Sequence, residues 1–139
     1  MRLLLSVVIL VMSLALGGAF QLSWAQSTQE KVKAASERAA KDYLTHGLML
    51  AGEGREEAAA NSFRKAVSLK PDWAEARSLL GSALARAGNY KEAEEELRKA
   101  VQLKPDYAEG WYFLGQFLKE RGKDKEAEEA LQKAKQLAR

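Results

Sequence analysis

The sequence predicts an all-α protein, an α-solenoid of three helix–turn–helix units with an extended first helix. Three observations carry this expectation. The first is a repeat of 34 residues without insertion or deletion. Aligning Tyr43, Arg77 and Trp111 brings Gly47, Gly81 and Gly115 into one column and Leu50, Leu84 and Leu118 into another. Ala59, Ala93 and Ala127 follow, then Phe63, Leu97 and Leu131, then Ala66, Ala100 and Ala134. The second is punctuation: Gly54, Gly88 and Gly122 fall within the units, and Pro71 and Pro105 close the first two. The third is the lack of strand signals, since Val, Ile and Thr are sparse after residue 28 and no period-2 run appears. A fixed period in the range of about 20 to 50 residues marks stacked units, each unable to bury its apolar face alone.

The N-terminus comes first. Arg2 is the only charge before Glu30, and residues 3–16 form a 14-residue apolar run broken only by Ser6 and Ser13. Gly17-Gly18 and Ser23-Trp24-Ala25 follow. A basic start, an apolar stretch and a small-x-small site make the layout of an export signal. As a helix the strict run reaches roughly 21 Å, short of a bilayer core of about 30 Å. Extended through Trp24 the stretch has 22 residues, enough to span. Residues 1–25 therefore read as a signal peptide cleaved after Ala25 or as a retained membrane anchor. Either reading puts the repeats outside the cytoplasm, in a bacterial periplasm or tethered to the inner membrane. Asn61 and Asn89 are not in glycosylation acceptors and cysteine is absent, which fits a bacterial envelope protein. Membrane contact is expected only if the N-terminal helix is retained.

Ser27 followed by Glu30 reads as a capping box that opens a helix. Val32, Ala35, Ala39, Tyr43, Gly47 and Leu50 recur at helical spacing, and no breaker intervenes before Gly52-Glu53-Gly54. One helix is expected over about 28–51. Residues 26–39 form its N-terminal extension, and the repeats occupy 40–73, 74–107 and 108–139. In Lys70-Pro71-Asp72-Trp73-Ala74-Glu75, Pro71 ends one helix and Asp72 is expected to cap the next. Asp106 is expected to do the same after Pro105. Gly54, Gly88 and Gly122 sit where a helix C-terminus needs a left-handed residue. Asn89 is expected to cap the helix after Gly88, with Arg55 and Lys123 as poorer equivalents. Trp73 and Tyr107 share one place in successive turns and are expected to pack between repeats.

Composition bounds the function. There are 22 basic and 19 acidic residues, a net charge of +3, and the two signs are interleaved. This is a solvated helix surface, with expected pairs Glu94–Arg98, Glu95–Lys99 and Glu129–Lys133, and not a nucleic-acid footprint. The lack of cysteine excludes disulfides, thiolate zinc and a cysteine nucleophile. His46 is the single histidine, and no nucleophile–base pairing supports catalysis. Neither enzyme activity, a metal nor a cofactor is expected. His46 stands in the column of Leu80 and Leu114, which predicts a packed or hydrogen-bonded core residue.

Repeat three reads Trp111-x-x-Leu114-Gly115-x-x-Leu118, with Ala127-x-x-x-Leu131 and Ala134. Repeat two reads Arg77-x-x-Leu80-Gly81-x-x-Leu84, with Ala93-x-x-x-Leu97, Ala100 and Pro105. Repeat one has Tyr43, Gly47 and Leu50, then Ala59-x-x-x-Phe63, Ala66 and Pro71. Over residues 40–139 these columns resemble the tetratricopeptide repeat. The packing logic agrees independently: a glycine inside a helix costs up to about 1 kcal/mol, so three at one spacing need a close helix crossing. The resemblance implies a right-handed array whose first helices line a concave, peptide-binding side. Arg77 departs from the pattern, and its stem is expected to cover the seam while its head reaches solvent. No solvating helix follows repeat three, so its last helix is expected to be covered by its own Lys125, Gln132, Lys133 and Gln136.

One residue beyond the core stripe lies a second stripe: Leu44–Leu48–Ala51, Ser78–Ser82–Ala85 and Tyr112–Gln116–Lys119. Stacking aligns Leu44, Ser78 and Tyr112, and below them Leu48, Ser82 and Gln116. With Arg86 and Lys119 these are the candidate partner-binding residues. Family members that hold a C-terminal carboxylate use Lys, Asn and Arg on this face. The matching residues here are Leu44, Leu48, Leu79, Glu109 and Phe113, so that clamp is absent. The expected function is an exported interaction module that binds a protein or peptide in the concave groove, in envelope assembly or scaffolding. The alternative is a membrane-anchored assembly factor or complex subunit.

Overall fold

The computed structural model describes residues 2–139, with side chains from Ser23 onward. Its helices are α1 (Arg2–Gly52), α2 (Glu56–Leu69), α3 (Ala74–Arg86), α4 (Tyr90–Leu103), α5 (Ala108–Glu120) and α6 (Asp124–Leu137). The chain divides into two compact units, Met1–Ser36 and Glu37–Arg139.

In the first unit the helix runs through Ser27 and Thr28, which corrects the expected start there. Thr28 Oγ1 donates to the Trp24 carbonyl at 2.9 Å, so the hydroxyl serves the preceding turn and caps nothing. Trp24 and Val32 are exposed. The signal-peptide and anchor readings rest on residues 1–25, and their apolar run lies outside the described side chains. Among the described residues no helix is long and apolar enough to cross a membrane.

The second unit is an all-helical array packed pairwise, α3 on α4 and α5 on α6, with α2 against α3 and α4 against α5. The glycine column explains the close pairing. A Cβ built on Gly47 would lie 2.5 Å from the Phe63 ring, one on Gly81 2.6 Å from Leu97, and one on Gly115 2.7 Å from Leu131. Each first helix thus receives the large residue of its own second helix where a side chain is missing. Leu50, Phe63, Leu80, Leu84, Leu97, Leu114 and Leu118 form the continuous core.

The turns follow the glycines. Gly54, Gly88 and Gly122 have φ of +74°, +88° and +71°, the left-handed residues that release each first helix into its second. The expected aspartate caps are corrected. The N-cap positions of α3 and α5 are Trp73 and Tyr107, and no side-chain cap bond forms there or at Asn89. Acidic residues in the first turn, Glu75 in α3 and Glu109 in α5, complement the helix dipole instead.

Arg77 is also corrected: its head does not reach solvent. The side chain is 14% exposed and its Nη1 lies 2.5 Å from Glu96 Oε2. Its Nε donates to the Pro71 carbonyl at 2.8 Å. In repeat three the Trp111 indole N–H donates to the Pro105 carbonyl at the same 2.8 Å. An arginine therefore performs the tryptophan's structural task, provided that a carboxylate neutralises it.

His46 lies at the surface, where a core position was expected. Its Nδ1 pairs with Ser62 Oγ at 3.0 Å, and the residue is exposed while Leu80 and Leu114 are 2% exposed. Leu80 and Leu114 face a preceding unit. Among the described residues no repeat packs in front of His46.

Surface ion pairs link units more than turns of one helix. Glu94–Arg98 forms at 2.9 Å. The other two expected pairs are not among the ion pairs of the described residues, and Lys99 turns to Glu96 at 3.3 Å, where the acid is already fixed by Arg77. Arg64–Glu92 at 2.9 Å and Arg98–Glu126 at 2.6 Å are one contact repeated a unit apart.

Candidate functional site

One surface left open by this packing is the row of first helices. The core stripes of α3 and α5 face their partner helices, so the next stripe turns outward. Between α3 and α5 it opens a groove of about 240 Å³. Ser82 and Arg86 contribute from α3, and Tyr112, Gln116, Phe117 and Glu120 from α5.

Tyr112 is 49% exposed. Phe113 holds its ring edge-on, with centroids 6.2 Å apart, and Gln116 Nε2 donates to its hydroxyl at 3.0 Å. The phenol proton and the Gln116 carbonyl oxygen have no partner among the described residues. Phe117, 4% exposed, forms an apolar floor. Arg86 is 62% exposed on its side chain and reaches Glu56 at 3.3 Å, while Glu120 is exposed at the same rim. The site thus offers an apolar slot, an amide, a phenol and one charge of each sign. It has room for one large side chain and hydrogen bonds for a peptide backbone. Among the described residues no group of three His, Asp or Glu is placed to hold a metal.

The structure brings together Ser82, Arg86, Tyr112 and Gln116. Leu48 is 47% exposed on α1, and Leu44 is partly buried against the core; neither lines this groove. Ser78 is corrected: it is 0% exposed and cannot face a partner directly. A Cβ on Gly110 would lie 3.4 Å from Ser78 Oγ, so the serine sits inside the α3–α5 crossing. Lys119 lines a different cavity, against Asp124, Glu128 and Leu131 of α6. Phe117 and Glu120 were not among the candidates. Phe117 lies four residues beyond Phe113, a helical spacing one residue past the stripe and visible in the sequence.

Flanking charges stabilise the frame of the groove. Burial works to raise the Glu75 carboxyl, but the Lys104 ammonium bonded at 2.6 Å holds it below its ordinary value. Lys123, bonded at 2.8 Å, and then Arg98 hold Glu94 low against the effect of burial.

A preformed groove between stacked helical pairs defines a helical-repeat scaffold, a class that works by holding other molecules. Two tetratricopeptide repeat models match, one over residues 44–108 and the other over 84–139. The chain belongs to the tetratricopeptide repeat family. Among solved structures it is similar to MamA, with a TM-score of 0.65 and 23% identity over 72% of this chain and 58% of that one. The tetratricopeptide domain of Sgt2 from Aspergillus fumigatus gives 0.69 and 21% identity over 71% of this chain and 66% of that one. The second such domain of Spaghetti (RPAP3), bound to the HSP90 peptide SRMEEVD, gives 0.71 and 20% identity over 77% and 98%. The chain therefore spans less than two thirds of the MamA chain. These likenesses show the fold. No curated protein matches the sequence.

Proposed function

We propose that this protein is an exported interaction module that binds a protein segment in the α3–α5 groove. The observation that carries the reading is the convergence of Ser82 and Arg86 with Tyr112 and Gln116 around one slot. These residues come from successive units, and only the stacking of the repeat brings them together. Tyr112 is the anchor, since a rigid half-exposed aromatic beside an apolar slot is the usual site of binding energy. The Spaghetti domain holds an acidic peptide. Here Leu44, Leu48, Leu79, Glu109 and Phe113 occupy the clamp positions, so the favoured ligand is an apolar side chain on an extended or helical segment and not a C-terminal carboxylate.

Export rests on the sequence of residues 1–25. A reporter that works only outside the cytoplasm, fused after residue 25, is expected to be active. Mass spectrometry of the native N-terminus separates cleavage from a retained anchor. The binding site is tested by placing a photo-crosslinker at Gln116 and, as control, at Glu95 on α4. Capture of a partner from Gln116 but not Glu95 is expected. Tyr112→Ala should then weaken that partner by about 1–2 kcal/mol without loss of fold. Capture from Glu95 alone would place the binding surface on the second helices and refute the groove.

A further inference from the structure

The repeat shows what the third unit leaves open. In the first two units the second helix is covered by the next unit. Val67 and Val101 are 8% and 5% exposed there, and Glu94 accepts from Lys123 of the following unit at 2.8 Å. On α6 the positions equivalent to Val101 and Glu94 are Lys135 and Glu128. Both are exposed, and among the described residues neither has an ion-pair or hydrogen-bond partner. Around them lie two adjoining cavities of about 380 and 370 Å³, which share Leu131 and Lys135. Their apolar walls are completed by Ala127 and Ala134.

A surface packed on this face gains by bringing a cation to Glu128 and an anion to Lys135, across Ala127, Leu131 and Ala134. An α6 helix offers both. Laid antiparallel, α6 of a second copy sets its Ala134 over Leu131 and its Lys135 opposite Glu128. The two-fold axis then makes each contact twice. We propose that the α5–α6 end face is a homodimer interface formed by antiparallel packing of α6 on α6. Tyr112 lines one of these cavities as well as the α3–α5 groove, but the interface is argued from α6 and does not rest on the groove reading.

End-to-end stacking is the competing arrangement, and the first unit argues against it. It presents exposed Asp42, Thr45, His46 and Met49 where α3 has Ala76, Leu79, Leu80 and Ala83. The apolar stripe that seats one unit on another is missing there. The antiparallel seam is about 21 Å long, one 14-residue helix. One helix per partner makes a small interface whose attractions are partly charge pairs, so a weak dimer that weakens further with salt is expected.

The chain has no cysteine, so Gln132→Cys in the full-length protein places a unique thiol beside the proposed two-fold axis. A short bismaleimide is expected to give a dimer from Gln132→Cys and none from Lys91→Cys on the far side. Added to Gln132→Cys, Glu128→Lys turns two attractions into repulsions and should cut the dimer about tenfold or more, as should Lys135→Glu. The double variant Glu128→Lys/Lys135→Glu restores it. So does mixing the two single variants, because each supplies the charge that the other lacks. No dimer from Gln132→Cys, a dimer indifferent to charge reversal, or an adduct with another protein in its place would each overturn the proposal. Helicity by circular dichroism confirms that the variants are folded.

Discussion

Replacing Arg77 by Trp tests how one repeat position can be filled in two ways. Repeat three uses Trp111 to bond the Pro105 carbonyl, and repeat two uses Arg77 to bond the Pro71 carbonyl. The indole in Arg77→Trp can keep that bond and match the shape of the seam. It cannot neutralise Glu96, whose side chain is 11% exposed and would keep only the half-exposed Lys99 at 3.3 Å. Breaking a buried pair from one side costs about 3–5 kcal/mol. The remaining lysine favours the lower end, so about 3 kcal/mol is expected. For a unit of this size that lowers the melting temperature by roughly 10–20 °C. The residue in the Glu96 column of repeat three is Ala130, 4% exposed. Arg77→Trp/Glu96→Ala therefore recreates within repeat two the pair that repeat three already uses. It should return stability to within about 1 kcal/mol, since replacing both members of a buried pair is often neutral. Urea unfolding followed at 222 nm measures both variants. If the double variant is as unstable as the single, the stranded carboxylate is not the cause. If the single variant is neutral, the pair is not desolvated.

Gly81→Ala should destabilise by about 1–2 kcal/mol, because its Cβ would meet Leu97 at 2.6 Å and the Ala93 carbonyl at 3.0 Å. Gly52→Ala meets nothing within 4 Å and should be neutral or stabilising by up to about 1 kcal/mol; thermal unfolding giving the same sign for both would remove the close-crossing argument. The depressed Glu94 carboxyl contributes stability above its unfolded value that is lost as pH falls through its folded one. Glu94→Gln should therefore flatten the decline in melting temperature below about pH 5, and an unchanged decline counts against the Lys123–Glu94 contact. Burial, then Glu109, pushes the Tyr107 hydroxyl up to about 12, so its contribution is intact below its unfolded value near 10 and is lost as pH rises from there toward 12. Tyr107→Phe should reduce the alkaline loss of stability, read by the same melts; an identical alkaline limb would show that another group sets it.

The repeat made most of the fold legible. A 34-residue period places the glycine and alanine columns without ambiguity, because close helix crossing admits only small residues there. The same period places Gly54, Gly88 and Gly122, since only glycine takes a left-handed turn without cost. What the period cannot show is the end of a stack. His46 sits in a leucine column and is exposed because no described unit packs in front of it, and Lys135 sits in a valine column and is exposed because no described unit packs on α6. Nor does a one-dimensional pattern show desolvated charge: Arg77 read as a solvent-reaching head, and only the approach of α4 supplied Glu96. At the groove, helical spacing found Tyr112, Gln116, Ser82 and Arg86 by their phase on the helix. It failed at Ser78, which has the same phase but is buried where α3 meets α5. Phase around a helix is fixed by 3.6 residues per turn and is written in the chain, whereas burial depends on what lies opposite, which only the packing of separate helices decides.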